Sequence, residues 1–409
     1  MKSTTTKADL AAFFREQRFL IVIGTLRSMG GAERQALLLG EFLKTEIGAD
    51  VVFLASHGTT LLTDTLAKLG IKHVIAPFEE RTANRRKAVQ ITRLIPVIRK
   101  IHPDVIIPFI SHNSKVIGLI WKLTGAKYAL WNQRDEGRGL YGSRLERLAL
   151  RNVCDIVSNS HAGRDGLVDV CGVRSQDVTI INNGVVLPNV STMKPVWRQK
   201  LGLPQNTLLV SMIANLTRYK DHSTLLRAWK IIESEYGAKN QPVALVLAGA
   251  HGETADQLKI QAFDLHVQNV FMPGSISDVH TLIHDCDLIV HSSRLEGCPN
   301  AVLEAMALAK PVIGTDIPGI RQALGEQAPA ICFSAAGDAT ELADRMRIFI
   351  GDQSLRQTAG SANRSRIEKE FAVEKMGYEY LELIYENWGA SWSPPGSVHS
   401  QRAAPQEKA

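Results

Sequence analysis

HSSRLEGCPNAVLEAMALAKPVIGTDIPGIR, residues 291–321, is the stretch on which the reading of this chain turns. An apolar strand ends at Ser292 and Ser293, a turn carries Glu296, Gly297 and Pro299, and a helix begins near Asn300 with Glu304 in its first turns. A second apolar run at 311–315 follows. Strand, helix and returning strand make a crossover unit, because parallel neighbours need a dozen or more residues to come back into register. The amides of Asn300, Ala301 and Val302, at the positive end of the helix dipole, form an anion site suited to a diphosphate. Carboxylates at Glu296 and Glu304 can then grip hydroxyl groups on either side of it.

The same grammar extends in both directions. Short apolar, β-branched runs recur at 19–24, 50–56, 73–77, 104–109, 128–132, 155–160 and 178–182, and again at 208–214, 243–249, 270–273, 288–292 and 331–333, with helix-length segments between. Such alternation predicts two doubly wound parallel sheets. A chain of 409 residues is also too long for one core, since single cores stop growing near ~250 residues. Gly184, Pro188 and Pro195, with Pro204 just beyond, break the periodicity over 183–203, as a linker would. The expected division is a first Rossmann-like domain over 1–190, a second over 191–375, a final amphipathic helix over 376–390 and a disordered polar tail over 391–409. Ligands of open α/β sheets bind at the carboxyl ends of the strands, so the chemistry is expected in a cleft between the two domains.

Composition narrows the class. Hydrophobic residues make up 45% and charged residues 22%, the balance of a soluble globular enzyme. Five cysteines, without a CxxC pair, predict neither a zinc site nor a disulfide framework and fit a reducing compartment. No window approaches the ~18 consecutive apolar residues of a spanning helix, so a cytoplasmic, non-spanning chain is expected. The formal charge is +6, and Arg81, Arg85, Arg86, Lys87, Arg93, Arg99 and Lys100 lie in a stretch without an acid. That stretch reads as a solvated helix face or as a surface for peripheral contact with an anionic membrane. Nucleic acid is disfavoured, because no aromatic residues interleave with the cations.

The 291–321 block resembles the EGxPxxxxEAMAxxxPV signature of the retaining GT-B glycosyltransferases of family 4, the group 1 glycosyl transferases. SMGGAER at 28–34, SNSHAGRDGL, INNGV, YKDH and LAGA extend the resemblance over most of the chain. It implies GT-B architecture, two Rossmann-like domains facing across a cleft, with the donor site in the second half. It further implies that Glu296 binds the transferred sugar and Glu304 the ribose, and that the turn at Pro273, Gly274 and Ser275 cradles the nucleobase. Lys220, at the end of the first strand of the second domain, would offset charge gathering on a departing diphosphate. The family's usual arginine five positions earlier is Asn215 here. Arg218 is the expected second cation, and Gly31, before a helix, brings backbone close to the donor. The catalytic set is thus Glu296, Lys220 and Arg218, and the donor-binding set Gly31, Gly274, Gly297, Asn300, Ala301, Val302 and Glu304.

The family often carries a His in the loop that here reads LWNQRDEGRG, and none is present. Gln133, Arg134, Asp135 and His112 are the candidates for that place. Asp285 and Asp287 form a DxD that reads as structural, so no obligatory metal or cofactor is expected. Cys298 in the donor loop reads as packing. GG without GxGxxG disfavours a nicotinamide enzyme. The resemblance implies a retaining transfer of a hexose or N-acetylhexosamine from a nucleotide sugar, UDP favoured over GDP, to a glycan or lipid-linked acceptor in surface polysaccharide biosynthesis. The alternatives are a sugar-nucleotide epimerase or hydrolase on the same architecture, or a non-enzymatic carbohydrate- or nucleotide-binding protein.

Overall fold

The computed structural model of the chain describes residues 5–27, 29–58, 61–78 and 84–389, with backbone alone at 61 and 84–90. The tail over 391–409 and the cations Arg81, Arg85, Arg86 and Lys87 therefore lie outside the described residues or side chains. Seven strands, β1 (Arg18–Thr25), β2 (Asp50–His57), β3 (Lys72–Ile75), β4 (Val105–Pro108), β5 (Tyr128–Gln133), β6 (Asp155–Ser158) and β7 (Val178–Ile180), form the first sheet. Its order is β3-β2-β1-β4-β5-β6-β7. The second sheet holds β8 (Leu208–Ile213), β9 (Val243–Ala248), β10 (Val270–Gly274), β11 (Leu288–His291), β12 (Val312–Thr315) and β13 (Phe333–Ser334), in the order β10-β9-β8-β11-β12-β13.

All neighbouring strands are parallel, and helices cover both faces. That is why the inner strands read as unbroken apolar runs and not as alternation: all six residues of β9 are buried. The edge strand β3 instead exposes Lys72 and His73, charges and polarity that discourage pairing with another chain. One strand is shifted from expectation. Residues 330–332 form a 3-10 turn, because the carbonyl of Pro329 takes the amide of Cys332 at 2.9 Å, and extended pairing begins only at Phe333.

Both sheets reverse direction at the same place. β1 and β4 part company at the centre of the first sheet, as β8 and β11 do at the centre of the second. Such switch points are where an open α/β sheet leaves a crevice at its strand ends. GGAER follows β1, the turn of Lys220 follows β8, and Glu296 follows β11. All three segments named by the sequence thus sit over a switch point.

The chain crosses between lobes twice, side by side. Val185 pairs with Ala372, and the Val185 amide donates to Phe371 O at 2.8 Å. The last helix, Val373–Ile384, then returns to the first lobe and buries Met376, Tyr380, Leu381 and Ile384 among Leu10, Phe14, Phe42 and the first sheet. Leu10 and Phe14 come from the opening helix Lys7–Phe14, fixed at its start by a capping box between Thr6 and Asp9. No helix among the described residues is long and apolar enough to cross a membrane.

Candidate active site

Lys220 owes its position to two caps. After β8 the chain makes a 3-10 turn, Arg218–Lys220, closed by Asp221 in the left-handed region (φ 51). Asp221 caps helix His222–Ala238 by accepting the Thr224 amide at 3.3 Å and its hydroxyl at 2.9 Å. The same carboxylate holds Arg294 at 2.9 Å, and Ser292 Oγ donates to the carbonyls of Lys220 and Asp221 at 3.3 and 3.0 Å. The turn is thereby stitched to the loop that follows β11.

That stitching sets Lys220 Nζ 2.5 Å from Glu296 Oε1, with His291 Nε2 2.7 Å from the same oxygen. Both contacts fall on Oε1, and no bond to Oε2 is found among the described residues. Glu296 is 8% exposed. Burial pushes its pKa up, but Lys220 and His291 more than reverse this and hold the carboxyl well below the usual range. His291 is fully buried, and burial pulls its pKa down in spite of Glu296. The pair is therefore a carboxylate facing a neutral imidazole that donates Nε2–H. Beneath them His222 is pushed down to about 3 by burial, then by His291 and Lys220.

Glycine shapes the loop after β11 at two points. A Cβ on Gly319 would lie 2.3 Å from Glu296 O and 2.4 Å from Gly297 O, so the loop rests directly on the start of helix Pro318–Leu324. A Cβ on Gly297 would stand 3.1 Å from Asp135 Cα in the opposite lobe. Helix Asn300–Ala307 starts here after Pro299 without a side-chain cap. One expectation is corrected: the Val302 amide is not open, because it donates to Pro299 O at 3.1 Å, as Leu303 does at 3.2 Å. The helix begins with a tight turn onto the proline carbonyl, leaving Asn300 and Ala301 as the amides for an anion.

The first lobe closes over this helix. Asn300 Nδ2 donates to Gly31 O at 3.0 Å, and Asn300 Oδ1 accepts from Asn183 at 2.6 Å and Gln35 at 3.2 Å. Glu304, 5% exposed, forms an ion pair with Arg34 of GGAER. Gly31, Asn300 and Glu304 are thus brought together, and Arg34, Asn300 and Glu304 line a cavity of about 140 Å³ with Met29, His280 and Leu303. In the loop after β5, Arg138 stacks on the Tyr219 ring at 4.0 Å and pairs with Glu136 at 2.9 Å. Burial raises the pKa of Glu136.

Other expected residues fall elsewhere. Arg218 is exposed, its amide held by Glu253 at 3.0 Å, and its side chain lines a separate cavity of about 450 Å³ with Ser223, Gln257 and Arg294. Gly274 ends β10 in the left-handed region (φ 77), with its carbonyl taking the Gly249 amide at 3.0 Å. Asn215 donates no charge; its Oδ1 accepts the Ala250 amide at 3.1 Å. Gln133 holds Asp135 Oδ1 at 2.7 Å, Arg134 binds Asn183 and the Tyr380 hydroxyl, and His112 stacks on Phe78. Asp285 accepts the amides of Val196 and Trp197, and Asp287 takes Arg198 and the Leu209 amide. Burial lifts the Cys298 thiol to about 11. Sequence reasoning missed Arg34, Arg138, Asn183 and His291; Arg34 stood inside the quoted GGAER, but its partner lies 270 residues away.

Two doubly wound parallel sheets with switch points facing across one cleft define the GT-B architecture of glycosyltransferases. The chain belongs to the glycosyl transferases group 1: that family's model matches residues 193–366, and the model for glycosyltransferase family 4 matches residues 29–187. Among curated relatives, it is 23% identical over 252 residues to the capsular polysaccharide biosynthesis glycosyltransferase CapM of Staphylococcus aureus, covering 60% of this chain and 64% of that one. It is 26% identical over 190 residues to the N-acetyl-alpha-D-glucosaminyl L-malate synthase of Bacillus anthracis, covering 46% and 48%. The chain thus spans less than two thirds of either relative. Among solved structures, Anabaena HepE in complex with UDP and glucose superposes with a TM-score of 0.75 at 18% identity, over 90% of this chain and 99% of that one.

Proposed function

We propose that the protein transfers a hexose or N-acetylhexosamine from a nucleoside-diphosphate sugar to a glycan or lipid-linked acceptor, with retention at the anomeric carbon. The observation that carries this is the buried Lys220–Glu296 pair beside the N-terminus of helix Asn300–Ala307. A diphosphate over the Asn300 and Ala301 amides gains from the helix dipole and from Lys220. Glu296 Oε2 accepts sugar hydroxyls, and Glu304 exchanges Arg34 for the ribose. Arg138, brought to Tyr219 from the other lobe, adds the second cation that Asn215 does not. Gly274 turns backbone towards the base, and UDP is favoured over GDP. That HepE was solved with UDP and with UDP-glucose supports this choice, and the CapM likeness supports a role in surface polysaccharide biosynthesis. Exposed Arg93, Arg99 and Lys100 support peripheral contact with an anionic membrane.

The groups that the site offers support retention. An inverting route needs a strong base behind the anomeric carbon, and Glu296, tied to Lys220 and His291, lies beside the diphosphate. On a same-face route the departing diphosphate accepts the acceptor's proton while Lys220 and the helix amides offset its charge. No obligatory metal enters, because Asp285 and Asp287 are committed to backbone amides and Arg198. A thermal-shift screen of UDP- and GDP-sugars identifies the donor, since a ligand of the native state alone raises its stability. Proton NMR of the fresh product from an α-linked donor then decides: a small-coupling signal from an equatorial anomeric proton is expected. A β-linked product overturns the retaining mechanism, and full turnover without acceptor overturns the transferase reading in favour of an epimerase or hydrolase.

A further inference from the structure

The loop that touches Gly297 and Tyr219 runs directly into helix Arg144–Asn152. The inner side of this helix is fully engaged. Ala149 and Leu150 are buried, and Glu146, 1% exposed, caps the Ser143 amide at 2.9 Å and accepts from Lys115 at 3.4 Å. Its outer side is unusual for a surface helix. Tyr141, Leu145 and Leu148 are 72%, 58% and 47% exposed; Leu145 and Leu148, three apart in the helix, share one strip, and Tyr141 stands in the loop just before it. Arg144, Arg147 and Arg151 are exposed around it. Among the described residues none of these three guanidiniums pairs with an acid.

We propose that this face, Tyr141 with helix Arg144–Asn152, seats the protein on an anionic lipid bilayer. An apolar strip bordered by cations matches an interfacial helix, whose apolar groups enter the headgroup and acyl boundary while its cations meet lipid phosphates. A second copy of the chain fits the same face less well. Symmetric pairing sets a patch against itself, which would bring Arg144, Arg147 and Arg151 against their own copies while the helix's one acid, Glu146, is turned inward. Placement also suits a substrate held at a membrane. Arg138, at the cleft, stands five residues before Ser143 (138 to 143), and a chain spans at most ~3.6 Å per residue, so the cleft mouth lies within about 18 Å of the bilayer surface. The docking face stands independently of the donor reading, and binding is measured without any nucleotide sugar.

The test is flotation of the full-length protein with vesicles of phosphatidylglycerol and phosphatidylcholine, against phosphatidylcholine alone, at low and high salt. Salt-sensitive binding to the anionic vesicles is expected. Leu145→Ser/Leu148→Ser should weaken partition roughly tenfold, and Arg144→Gln/Arg147→Gln/Arg151→Gln roughly a hundredfold, from about 1 kcal/mol per cation. All five positions are exposed, so both variants should keep the wild-type circular dichroism and thermal midpoint. Arg93→Gln/Arg99→Gln/Lys100→Gln, on the other basic helix, serves as the comparison. Equal binding to neutral vesicles overturns the proposal. So does wild-type binding by both variants of the proposed face, or loss of binding in the comparison variant alone. Sedimentation that shows a dimer broken by Leu145→Ser/Leu148→Ser assigns the face to a second copy instead.

Discussion

Replacing Lys220 with Met keeps the aliphatic stem and removes one charge from a pair whose side chains are 15% and 7% exposed. Glu296 then retains the burial that raises its pKa and loses the cation that pulls it down. Breaking a buried pair from one side costs about 3–5 kcal/mol while the partner stays charged. A proton relieves the strain, taken by Glu296 or by His291, which shares Oε1, so the cost depends on pH. In the wild type the folded pKa of Glu296 is depressed, and its contribution is present above 4.5, the ordinary value, and lost as pH falls below it. In Lys220→Met the folded pKa is raised, so the contribution is present at low pH and lost as pH rises. Lys220→Met/Glu296→Gln lacks the carboxylate, and its difference from Lys220→Met isolates this effect. Urea denaturation should show the double variant more stable by on the order of 2–3 kcal/mol near about pH 7.5, the gap closing towards about pH 5. Sugar transfer should fall roughly a hundredfold in both. A gap that does not change with pH, or wild-type stability in Lys220→Met, would refute the claim that Lys220 holds Glu296 ionised.

Glu304→Gln should weaken UDP binding by about ten- to a hundredfold, the range for losing hydrogen bonds to a charged group; calorimetric titration that shows unchanged affinity removes Glu304 from the donor site. Gly319→Ala puts a Cβ where only 2.3 Å separates it from Glu296 O, so the donor loop must move, and kcat should drop at least tenfold with far-UV circular dichroism intact. A Gly319→Ala enzyme of normal kcat would mean that the loop's seat is unimportant. His222, neutral and held down to about 3 in the fold, gains its proton only on unfolding, so it costs stability as pH falls below its ordinary 6.5. Wild-type stability should fall by on the order of 1–2 kcal/mol from about pH 7.5 to about pH 5, and His222→Gln should flatten that slope; an equal slope in the variant contradicts the assignment.

The strands and the donor block were readable because their signals are local. Apolar runs such as Val243–Ala248 announce a parallel strand wherever they occur, and Glu296, Gly297, Asn300 and Glu304 fall within one loop and helix turn. What escaped was set by distant partners. Arg34 lies inside GGAER with nothing local to mark it, and its partner Glu304 meets it across the cleft. His291 read as the end of a strand, with nothing in HSS to say that its ring would reach Glu296. Val302 lost its place in the anion site to a carbonyl three residues earlier, a local geometry that helix propensity does not encode. Arg218 and Lys220, two residues apart, part ways in the fold: Arg218 is exposed with its amide on Glu253, while Lys220 reaches Glu296.

The return of helix Val373–Ile384 to the first lobe makes that lobe discontinuous along the gene. Met376, Tyr380, Leu381 and Ile384 each contribute about 1.5–3 kcal/mol when fully buried, and a Cβ on Gly377 would strike the Phe42 ring at 2.3 Å, so the seat is closely fitted. A polypeptide ended near residue 190 would leave that seat bare around Leu10, Phe14 and Phe42, and the complementary piece would carry a greasy helix with nowhere to lodge. Chimeras that trade second lobes between relatives by a single splice would therefore graft a foreign helix onto the first lobe. A clean exchange needs two junctions, one at each strand of the Val185–Ala372 pairing.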